Sequence, residues 1–365
     1  MKKVLLSALV LLTTAMGTQA KSWKIGPNSV NGMDFADINA AMADSKVSAG
    51  DTLFLDQYFS TKVKQSVTKQ VVIIGTGYDT TLTDEKVVAT LTDSLVLMVD
   101  NIQVKSVNLS NVKFYADECT LDRCYTRRIE IGTVPKGNGL NHIYSCYITG
   151  KVGNQVIATS SVSTSGTVIY TYASAQLDIQ NCIITCDIST SSSSASTGNS
   201  LLCNLTKSII NNNCFYNTNK SSSWYSYCLF DIIESQITNN IMYSKNSPLT
   251  SDVIASGSGN TIEHNILSQS VPANFPSNVY NSNPLSLFNQ TGSYSDWYTL
   301  KTNVTDNFAL TYATDGGQVG CHGGMFGNPS GGRPQFIPYF TKVVVGQRAE
   351  NGKLPVSLEI KIQDK

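Results

Sequence analysis

Short apolar stretches alternate with polar turns along most of the chain, and this pattern predicts a protein built almost entirely from β-strands. Near the N-terminus, apolar residues recur at helical spacing over Phe35–Ala43, which indicates one short amphipathic helix with Asp34 as its N-cap. A turn at Ala49-Gly50 and a fully apolar stretch at Val71–Ile74 then predict strands. No longer helical pattern follows, so the sequence argues against a compact helical enzyme.

From about residue 95 the strands recur as a loose repeat. Each unit is a short strand, a tight turn and another short strand, and the turn often carries an Asn, which tolerates the left-handed backbone conformation. Units of this size cannot close a core alone and must stack on their neighbours. The sequence therefore predicts a solenoid of stacked coils. The aligned turn positions are Asn111, Arg123, Ser145, Asn181, Asn213, Asn240 and Asn265.

Four of the nine cysteines directly follow these turn positions, which predicts a column of thiols: Cys124, Cys146, Cys182 and Cys214. Equivalent residues in stacked coils lie about 4.8 Å apart, and a free cysteine behaves as a small buried hydrophobic residue. We expect these four side chains to point inward and to be reduced. Disulfides between neighbouring coils are the alternative in an oxidising compartment, although fixed strand geometry disfavours them.

The residue after each of these cysteines is predicted to lie on the outer face, because side chains alternate along a strand. That stripe includes Tyr125, Tyr147 and Phe215. Aromatic rings on an outer sheet could stack on sugar rings, with nearby Asn and Ser supplying hydrogen bonds. Trp224 and Tyr225 form a second candidate platform in a polar loop. Two alternatives stay open: inserted loops could cover the stripe, or the opposite parity could place the tyrosines in the core.

Charge and the N-terminal segment narrow the class of protein. The 26 basic and 26 acidic side chains give a formal net charge of zero, so the chain offers no basic surface for nucleic acid. Lys2-Lys3, the apolar run Val4–Leu12 and Thr18-Gln19-Ala20 have the form of a signal peptide cleaved after Ala20. That run is too short to span a membrane. We expect an exported, monomeric mature chain without membrane insertion, in the periplasm, on the cell surface or outside the cell.

Several segments resemble a known superfamily. Phe35–Met42, Ala49–Leu53, Ile73–Asp79 and the Asn-Cys units resemble secreted bacterial right-handed parallel β-helix proteins of the pectin-lyase-like superfamily. Tyr298–Asn303 and Asp315–Gly324 resemble the close of such domains, where the last coil ends in an Asp-Gly-x-x-x-Gly turn. The resemblance implies an all-β fold, a right-handed single-stranded parallel β-helix with a short N-terminal capping helix. It implies no particular activity, because one fold hosts many functions.

Three segments are expected along the chain. Residues 1–20 form the signal peptide, 21–325 the parallel β-helix domain, and 326–365 a Gly/Pro linker with a C-terminal β-hairpin. The hairpin is predicted because two apolar strand patterns, at 341–346 and 356–362, flank an Asn-Gly turn.

Enzymes of the resembled superfamily imply two kinds of site. Its hydrolases carry paired acids, because inverting hydrolysis needs an acid and a base on either side of the bond, and the family's motifs for them are absent here. Its lyases need a base, commonly Arg or Lys, and acids that bind Ca²⁺. The one charge-dense stretch of the chain holds the lyase candidates, which are Asp117, Glu118, Asp122, Arg127 and Arg128. The alternative is that this stretch is only a solvated, salt-bridged turn.

These observations favour an exported, non-catalytic protein that binds polysaccharide or a cell-surface glycan, or makes another surface interaction. The alternatives are a polysaccharide lyase or glycosidase of the same superfamily, and a structural module of a cell-surface assembly. Ca²⁺ is implied only for the lyase, and no other metal or cofactor is expected.

Overall fold

The computed structural model describes residues 20–27, 32–80, 87–131, 139–149, 152–154, 161–162, 168–169, 175–186, 200–217, 227–244, 254–255, 257–268, 275–292, 294–302, 307–328, 332, 339–345 and 356–361. Over these residues the regular structure is nearly all β-strand. The helices are α1 (Ile38–Ala43) and short 3-10 turns at Pro284–Leu287, Tyr294–Tyr298 and Phe308–Leu310. No helix in these ranges is long and apolar enough to cross a membrane.

Two all-parallel sheets form the body of the protein. Sheet A has ten strands: β1 (Ser22–Ile25), β2 (Thr52–Leu55), β5 (Val72–Ile74), β7 (Gln103–Lys105), β9 (Thr120–Asp122), β11 (Asn141–Tyr144), β16 (Leu177–Gln180), β19 (Ile209–Asn211), β22 (Gln236–Thr238) and β25 (Thr261–Glu263). Sheet B has fifteen: β3 (Ser60–Thr61), β4 (Gln65–Val67), β6 (Thr90–Leu97), β8 (Asn108–Phe114), β10 (Tyr125–Ile131), β12 (Tyr147–Ile148), β13 (Val152–Asn154), β17 (Ile183–Cys186), β18 (Ser200–Thr206), β20 (Cys214–Asn217), β21 (Tyr227–Ile233), β23 (Ile241–Ser244), β24 (Ile254–Ala255), β26 (Ile266–Leu267) and β27 (Val279–Tyr280). The chain visits the two sheets in turn and pairs each strand in parallel with the next coil, which confirms the predicted parallel β-helix.

Two antiparallel hairpins complete the strands. The first joins β14 (Ser161–Val162) to β15 (Val168–Ile169). The second joins β28 (Tyr339–Val345) to β29 (Val356–Lys361), which is the hairpin predicted at the C-terminus.

The predicted N-terminal helix is present but begins later than expected. It starts at Ile38, and its N-cap is Asp37, whose side chain accepts a hydrogen bond from the Ala40 N–H at 2.8 Å. Asp34 instead accepts from the Lys24 N–H at 2.8 Å and so belongs to the turn before the helix. The N-cap prediction was wrong because both acids precede apolar residues at similar spacing, and only the tertiary contact separates them.

An aliphatic ladder fills the space between the sheets. On eight of the ten strands of sheet A, from β2 to β22, one aliphatic residue points inward and lies in register with its equivalents on the neighbouring coils. Burial of one such side chain contributes roughly 1.5–3 kcal/mol. The residues on either side of it therefore point outward, which fixes the outer surface of sheet A. The ladder comprises Leu53, Ile73, Val104, Leu121, Ile143, Ile179, Ile210 and Ile237, all fully buried.

A column of left-handed residues turns the chain from sheet A towards sheet B. One residue with φ between 53° and 58° follows each strand of sheet A from β7 to β25. Polar residues occupy this column because Asn and similar short polar side chains tolerate positive φ. The predicted turn positions are confirmed for three of these coils, at Arg123, Ser145 and Asn181. The full column is Ser106, Arg123, Ser145, Asn181, Asn212, Asn239 and His264.

The predicted repeat alignment is wrong in the other coils. Asn213, Asn240 and Asn265 lie one position after the bend and point into the coil, where they are fully buried. Asn111 is not at a bend, because it lies within β8 opposite Arg128 of β10. The reason for the shift is that Asn suits two adjacent positions: it tolerates the left-handed bend, and its amide can bridge two coils.

From Cys124 onwards, the residue after each bend joins a hydrogen-bonded ladder between coils, which we call the internal ladder. The N–H of Cys124 donates to Sγ of Cys146, and the N–H of Cys146 donates to Sγ of Cys182, both at 3.4 Å. The N–H of Cys182 donates to Oδ1 of Asn213 at 2.9 Å. One backbone donor per coil is satisfied in this way. The internal ladder continues with the same contact from Asn213 to Asn240, Asn265 and Asn278.

Three of the four predicted inward cysteines are confirmed, and the fourth is not. Cys214 pairs in register with Ile183 and Ile241, not with Cys182. The prediction was wrong because Asn213 takes the internal-ladder position and shifts the cysteine by one residue, so that it faces away from the coil. There it joins a second apolar cluster of residues from sheet B and from the chain after residue 284. Every cysteine whose side chain the structure describes is buried and is not part of a disulfide.

Residues 313–328, which we call the strap, lie along the column of bends. The resemblance implied that Asp315–Gly324 closes the last coil, but the strap instead runs back over earlier coils. Glycines permit this close approach: a Cβ on Gly324 would lie 2.2 Å from Nδ2 of Asn212. The strap contacts, in order along it, are Thr314 with Asn239, Cys321 with Asn181, and Gly327 with Ser145.

Candidate functional site

The outward residues of sheet A form a continuous column of mostly polar side chains on seven neighbouring strands, β7 to β25, which we call the polar column. Successive members are direct register partners, so they lie about 4.8 Å apart along the axis. They are half-buried except for the last, which is exposed. The polar column comprises Lys105, Asp122, Tyr144, Gln180, Asn211, Thr238 and Glu263.

His142 precedes Tyr144 by two residues on β11, and Asp178 precedes Gln180 by two residues on β16, so both face the same surface as the polar column and are register partners. These four residues and Glu118 form a group that we call the central cluster. Tyr144 Oη donates to Asp178 Oδ2 at 2.5 Å and lies 2.8 Å from His142 Nδ1. Gln180 Nε2 donates to Asp178 Oδ1 at 2.7 Å, and His142 Nε2 lies 3.5 Å from Glu118 Oε2. The imidazole therefore sits between two carboxylates.

Electrostatics favour the charged forms of both partners at the middle of the central cluster. The hydrogen bond to Asp178 raises the pKa of His142 above its usual value, despite opposing burial, and Glu118 adds to the shift. Burial alone would raise the pKa of Asp178, but hydrogen bonds from His142, Tyr144 and Gln180 outweigh it and lower the pKa. Burial and Asp178 raise the pKa of Tyr144, so its hydroxyl keeps its proton.

The pKa of Asp122 shifts in the opposite direction to the pKa of Asp178. Burial raises the pKa of Asp122, although Arg123 and Lys105 oppose the shift. Arg123 Nη1 lies 3.4 Å from Asp122 Oδ2. Tyr144 stands on the coil between the two acids, and both carboxylates contribute to the raised pKa of its hydroxyl. The surface thus holds two carboxyl groups with opposite tendencies to keep a proton.

An aromatic pair borders the central cluster. The ring of Phe326, from the strap, stacks on the ring of Tyr144 with centroids 4.3 Å apart and an interplanar angle of 11°. Phe326 and Tyr144 are both half-buried, so the pair contributes apolar surface beside the polar groups.

The predicted lyase residues are divided between the two sheets. Asp122 lies in β9 of sheet A, and Glu118 reaches the central cluster through His142. Arg127 and Arg128 lie in β10 of sheet B, where Arg127 is exposed and Arg128 Nε lies 3.3 Å from Glu130 Oε1. The acids and the arginines therefore face different surfaces.

Asp117 lies in the turn before β9. Burial and the neighbouring acids Asp100 and Glu118 raise its pKa. Across the described ranges of the chain, no group of three or more His, Cys, Asp or Glu side chains could hold a metal ion.

Tyr125 and Tyr147 lie on the outer face, as the predicted parity requires. They are register partners and half-buried, whereas Cys124 and Thr126 on either side of Tyr125 are buried. Their rings are nearly parallel, at 7° with centroids 5.9 Å apart, and Tyr78 packs against both. Much of each ring is thus occupied by its neighbours.

The other aromatic residues predicted for a binding surface are not found on the outer face among the described residues. Phe215 is only 2% exposed and pairs with the inward residue Ile184, so its placement on the outer stripe was wrong. The cause is the same one-residue shift that displaces Cys214. Trp224 and Tyr225 lie outside the described residues.

Sequence reasoning missed four members of the central cluster: His142, Tyr144, Asp178 and Gln180. A signal exists in the strands of sheet A, where polar residues recur two apart around one aliphatic residue: His-Ile-Tyr at 142–144 and Asp-Ile-Gln at 178–180. Nothing in the sequence pattern places Phe326 against Tyr144, because that contact depends on the path of the strap.

No protein-family model and no curated protein matches the chain. Two solved structures are similar to it. Pectate lyase Pel9A has 12% sequence identity and a TM-score of 0.34, with 85% of this chain and 97% of that chain covered. A pectin methylesterase from Aspergillus niger has 13% identity and a TM-score of 0.27, with 73% of this chain and 94% of that chain covered.

Proposed function

We propose that the polar column and the central cluster bind an extended polysaccharide that is neutral or weakly acidic. The observation that carries this proposal is the unbroken run of hydrogen-bonding side chains on seven neighbouring strands, bordered by the stacked Tyr144 and Phe326 rings. Sugars offer hydroxyl groups at short, regular intervals and apolar ring faces. Amide, hydroxyl and carboxylate groups can bond the first, and aromatic rings can contact the second.

The charge of the chain supports this class of ligand. With 26 basic and 26 acidic residues, the protein has no excess of positive charge for a heavily sulphated glycan. Lys105, half-buried at one end of the polar column, could still pair with an occasional carboxylate of the ligand. Binding at single sugar positions is expected to be weak and to increase through several contacts along one polymer.

The proposed surface differs from the one favoured by the sequence, and mutants can separate the two. Binding to a panel of soluble polysaccharides is measured by affinity electrophoresis and calorimetry. We expect Gln180→Ala and Phe326→Ala each to weaken binding about tenfold or more, since each loses contacts of order 1.4 kcal/mol. The control Arg127→Ala, which changes an exposed residue of sheet B, should bind like the wild type.

Two results would count against this location. Equal binding by the Phe326→Ala, Gln180→Ala and wild-type proteins would exclude the polar column. Loss of binding only in the Tyr125→Ala/Tyr147→Ala double mutant would place the glycan on sheet B.

A second candidate function is hydrolysis of the bound glycan, because Asp122 and Asp178 lie on strands of sheet A separated only by β11 and their pKa values shift in opposite directions. An acid that keeps its proton and a carboxylate that loses it are the two groups that glycoside hydrolysis needs. Asp122 would donate the proton to the leaving oxygen, and ionised Asp178 would activate water. Reducing-end release by the wild type, lost about 100-fold or more in Asp122→Asn and in Asp178→Asn, would establish it. Release of unsaturated uronates would instead support a lyase.

Export belongs to the same proposal, because polysaccharides of this kind lie outside the cytoplasm. The signal peptide and its cleavage after Ala20 fall outside the described residues, apart from Ala20 itself. N-terminal sequencing of the protein recovered from the periplasm or medium should begin at Lys21. Size-exclusion chromatography with light scattering tests the expected monomer.

A further inference from the structure

Cys214 and Cys321 come together from distant parts of the chain. The N–H of Cys321 donates to Sγ of Cys214 at 3.2 Å across 107 residues of sequence. An N–Cα bond is about 1.46 Å long, so the Cα of Cys321 lies within about 4.7 Å of Sγ of Cys214. Both side chains are buried in the second apolar cluster, at 2% and 1% exposure.

We propose that Cys214 and Cys321 form a disulfide that fastens the strap to sheet B when the protein folds in an oxidising compartment. The two residues belong to different surfaces that face each other, β20 on one side and the strap on the other. Disulfide formation requires two side chains directed towards each other with Cα atoms about 4.4–6.8 Å apart. The contact between the Cys321 backbone and Sγ of Cys214 brings this pair close to that arrangement.

The cysteines of the internal ladder are not equivalent to this pair. Cys124, Cys146 and Cys182 occupy the same position on successive parallel coils, so their Cα–Cβ bonds point the same way and are spaced by about 4.8 Å. Their sulfurs are also engaged: Sγ of Cys146 accepts the Cys124 N–H and donates to the Tyr144 carbonyl at 3.2 Å. We therefore expect these three thiols to stay reduced when the strap is cross-linked.

The reaction needs a disulfide-bearing oxidant, either a thiol–disulfide oxidoreductase or oxidised glutathione. The Cys321 thiolate attacks one sulfur of the oxidant, forms a mixed disulfide and releases one thiol. The Cys214 thiolate then attacks the Cys321 sulfur and releases the second thiol. The two cysteines lose two electrons and two protons in total, and the oxidant disulfide becomes two thiols.

The burial of Cys321 determines when the disulfide can form. Burial raises the pKa of Cys321 far above its usual value once the strap is docked, so little thiolate exists in the folded, reduced protein. The bond should therefore form while the strap is still undocked during folding, and form slowly after folding is complete.

The test uses the mature protein, unfolded under reducing conditions and refolded in a mixture of reduced and oxidised glutathione. Free thiols are then blocked with N-ethylmaleimide, and the digest is mapped by mass spectrometry. We expect one main linked peptide pair, Cys214 with Cys321. It should be absent in Cys321→Ser and retained in the control Cys228→Ser, which removes another fully buried thiol.

A second measurement does not depend on any variant. Reduction of the refolded wild type should lower its Tm by about 5 °C, because the bond closes a long loop in the unfolded chain. Alkylation of both Cys214 and Cys321 in the oxidatively refolded wild type would overturn the proposal. Cross-links mainly among Cys124, Cys146 and Cys182 would overturn it as well.

Discussion

Residues of the internal ladder differ in how many buried groups each one satisfies. Asn240 accepts from the Asn213 N–H at 2.8 Å and donates to the Ile210 and Thr238 carbonyls, both at 2.8 Å. At the same position Cys146 accepts the Cys124 N–H at the longer distance of 3.4 Å, and its one S–H donates to the Tyr144 carbonyl at 3.2 Å. The amide members therefore satisfy more buried groups than the thiol members, and at shorter distances.

This difference predicts unequal costs of truncation. Asn240→Ala removes the acceptor of the buried Asn213 N–H and a donor to the Ile210 carbonyl, while the Thr238 carbonyl keeps the Asn212 N–H. We therefore expect a loss of roughly 3 kcal/mol. Cys146→Ala removes a small apolar group and a weak acceptor, which should cost roughly 1–2 kcal/mol. Urea unfolding followed by circular dichroism measures both. Equal losses in the two variants would show that the amide contacts add nothing beyond packing.

The central cluster predicts a defined dependence of stability on pH. The raised pKa of His142 gives a contribution that is complete below its usual value near 6.5 and is lost as the pH rises through the raised pKa. The lowered pKa of Asp178 gives a contribution that is present above its usual value near 3.8 and is lost as the pH falls through the lowered pKa. The pair is thus most stabilising between about pH 4 and pH 6.5.

We therefore expect the Tm of the wild type to fall more steeply above pH 6.5 than the Tm of His142→Gln. Nuclear magnetic resonance titration of the imidazole provides a direct control, because Asp178→Asn should lower the pKa of His142. An unchanged imidazole pKa in that variant would mean that Asp178 does not hold the proton on the ring.

At the scale of elements, the strap depends on glycines at two different kinds of position. Gly316 and Gly324 both have positive φ, at 78° and 62°. A Cβ on Gly316 would meet nothing within 4 Å, whereas a Cβ on Gly324 would lie 2.2 Å from Nδ2 of Asn212. The two positions share the backbone requirement and differ in the space around them.

Gly316→Ala should therefore cost only about 1 kcal/mol, which is the backbone penalty alone. Gly324→Ala should cost more, because the strap or Asn212 must move. We expect faster amide hydrogen exchange along residues 313–328 in Gly324→Ala than in Gly316→Ala. Identical exchange in the two variants would show that the strap accommodates the added methyl group freely.

The elements themselves were predictable to different degrees. The alternation of short strands and polar turns was sufficient for the stacked coils, and the Asn-Gly turn for the hairpin of β28 and β29. Where two Asn residues are adjacent, the sequence does not show which one forms the bend. Asn212 forms it and Asn213 enters the coil, although the two side chains are chemically identical. Cys214 and Phe215 were misplaced as a result.

At the scale of the whole molecule, the sequence alone could not show which polar side chains meet in the central cluster or where the strap makes its contacts. His142 and Asp178 are 36 residues apart and meet only because the coils between them place β11 beside β16. Phe326 reaches Tyr144 from the far end of the chain. Local patterns predict a coil, but the register between coils decides which polar side chains share a surface.

The length of the polar column leads to a prediction about ligand size. Seven neighbouring strands from β7 to β25 define six spacings of about 4.8 Å, so the surface extends about 29 Å along the axis. If a glycan follows this surface, its affinity should rise with the number of sugars until the chain spans this length, and then level off. Calorimetry with oligosaccharides of increasing length, taken from the polysaccharide that binds best, measures the dependence.

The same titrations should show weak sensitivity to salt, because most of the polar column is uncharged and exposed charges are screened. In Thr238→Ala, which changes a half-buried residue two strands beyond Gln180, we expect long oligosaccharides to lose affinity and short ones to bind as before. A loss of affinity for long oligosaccharides alone would distinguish binding along the whole polar column from binding at the central cluster only. An affinity that stops rising with the shortest oligosaccharides, unaffected by Thr238→Ala, would confine the ligand to Tyr144, Phe326 and their immediate neighbours.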